Sequence, residues 1–489
     1  MSKIDVLAFD LGASNGRAIV GHLDDKIITT TEVHRFANNF ATLNGVDCWD
    51  INNLFENLKL GFQKAFEMGF KPQSFGIDTW GVDYGLLDEK GELIANPRAY
   101  RGSKDEAMND AIAKIGKRNI FNRTGIATLN FNTIYQLNQR VLENDEELTK
   151  AKTLLLMPDL LGYLFTGQIF SEYTNVTTSN LFNVETKNWD FELINKLNIP
   201  SHIFSEIDYP GHVRGNIKKN IAEELGIDSI PLIAVGTHDT ASAVAAIPLN
   251  ENYAFCSSGT WSLCGLEAEK AIINDLVYNS NFSNEGTIQG GVRPLKNIMG
   301  MWIIQECRRQ WGENLSWKEI DKETTATKSL GSIINPNYSD FFKAGHMIEK
   351  IQDYCHGTGQ AIPKTIGEIS RTVYESLALM YRNVIETLSD LQGAPIQGLN
   401  ITGGGIKNVF VDQMTADCIG LPVLTGPTEG AALGNIMAQL IGLQKVKDVH
   451  EGREIISQSI EMKKFEPKDR SGWDQQYQKL LTFLEADNN

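Results

Sequence analysis

The chain has 489 residues, 42% of them hydrophobic and 22% charged. That balance belongs to a folded protein of two or three domains and is too apolar for a disordered chain. Sixty-one acids against forty-five bases leave a formal charge of −16, which repels phosphate backbones and anionic lipid headgroups and argues against general nucleic-acid or membrane binding. An anionic ligand then has to be held by local devices, either backbone N–H groups or a metal ion.

The first segment, MSKIDVLAFDLG, has one lysine and an apolar run broken at Asp5 and Asp10, so it lacks the features of a secretory signal. Ile4–Phe9 reads as a short buried strand ending at Asp10. A polar turn follows through Ala13, Ser14, Asn15, Gly16 and Arg17, and Ala18–Gly21 resumes a strand. A turn of small residues at a strand end points N–H groups and the Ser14 hydroxyl outward, as a phosphate nest does, and Asp10 is placed to hold Mg²⁺ through water. The same residues also suit a plain hairpin, since Asn-Gly is a type I′ turn signal, and the spacing is not that of a Walker A loop.

Next, Phe75–Trp80 reads as a strand running into Gly81, with two acids and a tryptophan close by. Acids and aromatics of this kind bind sugar hydroxyls and C–H faces, although Trp80 by itself reads first as a core residue. Leu154–Phe165 is the most apolar stretch, but it holds Pro158 and Asp159 and is too short to span a bilayer. An apolar strand from Pro231 to Gly236 leads into Thr237, His238, Asp239 and Thr240 at the start of a small-residue helix. Asp239 reads either as that helix's N-cap or as a carboxylate that takes a proton from a substrate hydroxyl. A helix N-terminus favours its ionised form, and a weak base suits phosphoryl transfer.

The second half repeats the pattern after a boundary near Ile247–Asn252. Tyr253–Cys256 and Ser262–Gly265 flank a turn containing Gly259 and Thr260. Lys296 and Asn297, with Met301, Trp302 and Gln305, open an amphipathic helix. Val373, Leu377, Met380, Val384, Leu388 and Leu391 recur every three or four residues, and Gly393 and Pro395 end that helix. Leu399–Thr402 then runs into Gly403-Gly404-Gly405 ahead of a helix over Val409–Ile419. Such a triplet lets a diphosphate approach the backbone at a helix N-terminus, and it also occurs in plain turns. The whole reads as α/β, in two similar domains (residues 1–247 and 248–489) with a ligand cleft between them. Six scattered cysteines without a CxxC pair, and histidines without metal-ligand spacing, point to reduced thiols and a cytoplasmic protein.

The order of these segments resembles the FGGY carbohydrate kinases. The likeness is carried by DLGASNGR at the N-terminus, GIDTWGVD, GTHDTASA, SSGTWSL, KNIMG and the late GGG, and it extends to His34-Arg35-Phe36, Ala99-Tyr100-Arg101 and Met157-Pro158-Asp159. It implies two actin-like (ribonuclease H-like) domains closing around ATP and a sugar, and Mg²⁺ with the ATP. Within the family the chain is most similar to members that phosphorylate L-rhamnulose at O1. Carried over motif by motif, Ala13, Ser14, Asn15, Gly16, Arg17, Thr260, Gln305 and Gly404 would bind ATP, and Asp10 the metal. Gly81, His238, Thr240 and Asn297 would bind the ketose, with Asp239 as proton acceptor. The expected partners are a small ketose and ATP, for a monomer or homodimer that touches neither nucleic acid nor membrane. Many members follow Ala-Tyr-Arg with Asp-x-Arg, whereas Gly102, Ser103 and Lys104 stand here, which implies a looser sugar preference. A kinase for L-fuculose, L-ribulose or D-xylulose, and a non-catalytic sugar or nucleotide sensor, are the alternatives.

Overall fold

The run Ile-Asp-Val-Leu-Ala-Phe-Asp-Leu is nearly continuous in apolar residues, as a strand covered on both faces requires, and it forms β1 (Ile4–Leu11). An antiparallel meander continues through β2 (Asn15–Asp24) and β3 (Ile27–Ala37). On the other side of β1, β4 (Pro72–Thr79) runs parallel to it. With β5 (Val213–Asn216) and β6 (Pro231–Ile233) the sheet order is β5–β6–β4–β1–β2–β3. The computed structural model describes residues 3–487 apart from 39, 44, 249 and 313; the expected boundary at Ile247–Asn252 therefore contains one residue outside the described set.

Alternate residues of β1 face two cores. Leu7, Phe9 and Leu11 pack with the helix Ile51–Glu67, where the Phe62 ring lies 5.2 Å from both Phe9 and Phe75. Val6 and Ala8 pack with the helix Gly430–Gly442 through Ile436 and Met437. This sheet and both helices lie in one compact unit made of Met1–Pro248, Glu267–Pro294 and Gly430–Ile460.

The second unit comprises Leu249–Leu266, Leu295–Glu429 and Glu461–Asn489. It is built on β7 (Tyr253–Ser258), β8 (Trp261–Gly265), part of β9 (Val292–Met299), β10 (Gly398–Thr402), β11 (Val423–Thr425) and β12 (Lys463–Phe465). These strands lie in the order β9–β8–β7–β10–β11–β12. β7 pairs antiparallel with β8 and parallel with β10, the arrangement that β1 has with β2 and β4, so the repeat read in the sequence is present in the strand pairing. The predicted long helix spans Ile366–Gln392. It starts in a Thr365/Glu368 capping box and ends at Gly393 with φ 68°. Among the described residues no helix is long and apolar enough to cross a membrane.

The turn after β1 differs from the Asn-Gly hairpin reading. Asn15 and Gly16 already belong to β2, and the turn closes through Gly12 N–H to the Asn15 carbonyl at 2.9 Å. A Cβ on Gly16 would meet the Phe36 ring at 2.2 Å, so this glycine serves packing between β2 and β3 and not a left-handed turn.

Candidate active site

In the first unit the parallel register sets Asp10 opposite Asp78 at the carboxyl ends of β1 and β4. Strand ends in α/β sheets are where ligands bind, because the chain turns away there and leaves N–H groups and side chains exposed. Asp10 forms an ion pair with Arg17, its register partner on β2. Asp78 is fully buried; its Oδ2 accepts from the Asn435 amide at 2.6 Å, and its Oδ1 has no hydrogen-bond partner among the described residues. Burial, reinforced by the Asp10 charge, pushes the Asp78 carboxyl well above the usual range. Behind Asn435, Gln439 donates to the Asn435 amide oxygen at 2.7 Å and accepts from Ser74 at 2.8 Å, so the carboxylate's one bonded oxygen is held by a buried polar chain. Ala13 and Ser14 form the turn itself, and the Ser14 carbonyl accepts from Asn38 N–H.

The Thr237–Asp239 loop is brought to the end of β4 by the Thr79 amide, which donates to the Thr237 carbonyl at 2.8 Å, and by a parallel bridge between Thr79 and His238. His238 takes the position before the helix and Asp239 is that helix's first residue, so the carboxylate does not cap it. Asp239 Oδ1 accepts from the Thr240 hydroxyl at 3.1 Å and lies 3.7 Å from His238 Nε2. Its side chain keeps 29% exposure, which leaves an oxygen accessible. The helix N-terminus was expected to favour the ionised form. Desolvation outweighs that effect and the His238 and Thr240 contributions, and the carboxyl sits above its ordinary value. That makes it the stronger proton acceptor.

Glu172 holds the loop from below. This fully buried carboxylate accepts from Thr237 N–H at 3.1 Å and the Thr237 hydroxyl at 2.5 Å, and from Thr174 N–H at 2.8 Å and its hydroxyl at 2.5 Å. The same segment fixes the Gly81 turn, because the Thr178 hydroxyl accepts from Val82 N–H at 3.1 Å. Val82 has φ 69°, and Asp83 N–H bonds to the Gly81 carbonyl at 3.0 Å, a γ-turn that a β-branched residue adopts only under strain. Asp83 is the anchor of that turn, accepting from the indoles of Trp49 at 2.6 Å and Trp80 at 3.0 Å and from Gln136 at 3.1 Å. Burial pushes it up to about 6. Trp80 is 6% exposed, so the core reading of that residue holds.

In the second unit the turns after β7 and β10 lie side by side, since Ser257 and Thr402 are register partners and a Cβ on Gly403 would meet the Ser258 carbonyl at 2.7 Å. Gly403 has φ 90°, a conformation that favours glycine. Gly404 has open space before it. Met301 and Trp302 N–H groups donate to the Gly259 and Thr260 carbonyls at 3.0 and 3.1 Å. That hangs the helix Trp302–Trp311, with Gln305 in its first turn, from the Gly259–Thr260 turn. A 3₁₀ turn over Gly404–Lys407 separates the triplet from the helix Val409–Ile419, whose Val411 N–H is taken by Asn408 at 3.3 Å. The glycine triplet is therefore not directly at that helix's N-terminus. Asn297 lies on β9 opposite Leu263 of β8; the Lys296–Asn297 pair, expected to open a helix, belongs instead to this strand because it pairs with β8, and the helix starts only at Trp302.

The residue reading did not single out Glu172, Asn435, Glu285 or Arg293. The only trace of the first was the polar run Glu172–Asn180, unusual for a segment that proves buried.

Residues 6–246 match the N-terminal domain of the FGGY family of carbohydrate kinases, and residues 254–443 match its C-terminal domain. The rhamnulokinase of Bacteroides thetaiotaomicron is 38% identical over 477 residues, 97% of this chain and 98% of that protein. The rhamnulokinase of Bacillus subtilis is 39% identical over 464 residues, covering 94% and 95%. Solved structures share the fold. A ligand-bound xylulose kinase from Lactobacillus acidophilus superposes with a TM-score of 0.79 at 16% identity, over 99% of this chain and 98% of that one. Glycerol kinase from Plasmodium falciparum with ADP gives 0.77 at 15% identity, over 99% and 97%.

Proposed function

Since the chain belongs to the FGGY family of carbohydrate kinases, with two actin-like domains, we propose that it phosphorylates L-rhamnulose at O1 with ATP, in L-rhamnose degradation. The near full-length likeness to the rhamnulokinases carries this reading. Ala13, Ser14, Asn15, Gly16, Arg17, Thr260, Gln305 and Gly404 are assigned to the nucleotide, and Gly81, His238, Thr240 and Asn297 to the ketose. Residues 1–247 and 248–489 are assigned as the sugar-side and nucleotide-side domains. A reducing cytoplasm suits the six cysteines, all free and buried.

Asp239 is assigned as proton acceptor. In a loose phosphoryl-transfer transition state the hydroxyl proton leaves late, so most of the catalysis is positioning and electrostatics. A desolvated carboxylate of raised proton affinity, fixed by Thr240 and by the Glu172-anchored loop, supplies both the acceptor and its placement. The donor set suits Mg²⁺. It is all oxygen, and Asp78, the register partner of Asp10, contributes a buried Oδ1 that has no hydrogen-bond partner among the described residues. Among the described residues no group of three or more His, Cys, Asp or Glu side chains is placed to hold a metal ion. Asp10 and Asp78 would hold the Mg²⁺, and bound there it neutralises phosphate charge.

ADP release measured with ATP and Mg²⁺ over L-rhamnulose, L-fuculose, L-ribulose and D-xylulose tests the substrate. L-rhamnulose is expected to give the highest kcat/KM, and a value tenfold or more below another ketose would transfer the assignment to that sugar. A non-catalytic sensor would turn over none of them.

A further inference from the structure

Arg293 is fully enclosed although it carries a charge. Its Nε donates to the Gly286 carbonyl at 2.9 Å, and its Nη2 lies 3.5 Å from Glu285 Oε2. Glu285 and Gly286 end a short buried strand, Ser283–Gly286, and the Gly286 amide is tied to the Thr177 hydroxyl at 2.7 Å. The guanidinium is thus fixed from two sides, and the same Nη2 reaches Nδ1 of His238 at 3.4 Å.

A guanidinium has five N–H donors, no acceptor, and does not release a proton at ordinary pH. In its contact with His238 the imidazole must therefore accept. A neutral imidazole carries a single N–H, so with Nδ1 accepting, the proton resides on Nε2. Nε2 is the nitrogen that faces Asp239, 3.7 Å from Oδ1. Glu285 Oε2, 3.3 Å from Nδ1, would draw a proton to the opposite nitrogen. That arrangement would set two N–H groups, those of Nδ1 and Nη2, against each other. The guanidinium already supplies the donor that this carboxylate needs.

We infer that Arg293, braced by Glu285, is a positioning residue that locks His238 as its Nε2–H tautomer, so that the imidazole offers a hydrogen-bond donor to the ketose and to Asp239. In this state His238 Nε2 has no lone pair with which to compete for the substrate's proton, and Asp239 is left as the acceptor. The ring recognises an oxygen that can accept, either the ketose carbonyl or a hydroxyl, and discriminates against a sugar lacking one there. The part concerning the ketose rests on the kinase reading; the tautomer does not.

Long-range ¹⁵N–¹H correlation on ligand-free protein labelled in histidine reads the tautomer directly, with His238 assigned by the signal lost in His238→Gln. The expected spectrum at pH 7 is a neutral ring with Nε2 protonated and Nδ1 bare. A proton on Nδ1, alone or in an imidazolium, overturns the inference. Arg293→Met should move the proton to Nδ1, beside Glu285, and raise the ketose KM at least tenfold while ADP binding stays within twofold. An unmoved proton in a folded Arg293→Met protein overturns it as well. Should that variant not fold, the unmutated protein's spectrum still decides. His238→Gln, whose amide keeps an N–H, should raise the ketose KM less than His238→Glu, which keeps only acceptors; the reverse order counts against the lock. Absence of turnover on every ketose would remove the functional reading and leave the tautomer measurement standing.

Discussion

Replacing Glu172 by alanine removes the acceptor beneath the Thr237–Asp239 loop. Four N–H and O–H groups of Thr174 and Thr237 lie within 3.1 Å of that carboxylate. The two hydroxyls can rotate to other acceptors, whereas the two backbone N–H groups, and that of Asn175 at 3.3 Å from the same carboxylate, cannot. A buried donor left without an acceptor costs about 1–3 kcal/mol, so the three stranded amides destabilise the first unit by roughly 3–9 kcal/mol. Glu172→Gln keeps one oxygen for Thr237 but turns an NH₂ toward the Thr174 amide, and should cost about 1–3 kcal/mol, from one unmet donor. Because Asp239 is placed by this loop, and displacement by about 1 Å can cost on the order of 100-fold, kcat should fall by about that factor in the alanine variant. Urea unfolding of the three proteins, with kcat for the ketose measured on each folded variant, gives both quantities. An alanine variant within 1 kcal/mol of the unmutated chain and with full turnover would refute the claim that Glu172 anchors the loop.

Gly81→Ala sets a Cβ 2.9 Å from the Thr178 hydroxyl oxygen and 3.0 Å from its methyl carbon, and that threonine is fixed by its bonds to Val82 and Asn175. Overpacking of this kind costs about 1–3 kcal/mol, and the ketose KM should rise roughly tenfold or more; an unchanged KM would take Gly81 out of the sugar site. Asp83 is raised from 3.8 to about 6 in the folded chain by burial, so the native state binds its proton more tightly than the unfolded state does. Its contribution to stability is greatest below about pH 4 and is lost as pH rises to about 6. At about 1.4 kcal/mol per pKa unit, the loss is about 3 kcal/mol. Urea stabilities at pH 4 and 7 should show Asp83→Asn gaining about that much relative to the unmutated chain on going to the higher pH; a difference that does not change with pH would contradict the burial argument.

Some of this was legible in the residues because it is local. The apolar run of β1, the small-residue turn behind it and the periodicity that ends at Gly393 each declare their element within a few positions. Asp239 was legible as a residue but not in its proton affinity: the helix N-terminus is visible in the sequence, and the burial that outweighs it comes from the surrounding fold. Glu172 bonds to Thr237, 65 positions away, and Asn435 to Asp78, 357 positions away. Neither pairing leaves a local pattern. Asn15-Gly16 was ambiguous for the converse reason, since a dipeptide that favours a turn is overridden where Phe36 of the neighbouring strand fills the space beside the glycine. The hydroxyl-rich run Glu172–Asn180 looks like a surface loop in one dimension, and it tolerates burial because the hydroxyls of Thr177, Thr178 and Ser179 each donate to a carbonyl three residues back.

The most direct test of the account is Asp239→Asn, which keeps the shape and the contact with Thr240 but removes the carboxylate proposed as proton acceptor. Removing a general base costs about 10²–10⁴-fold, so kcat with L-rhamnulose should drop by that range while Kd for the ketose and for ADP, measured by calorimetry, stays within threefold. An asparagine variant that turns over at the unmutated rate would contradict the account, and Asp239 would then be only the first residue of its helix.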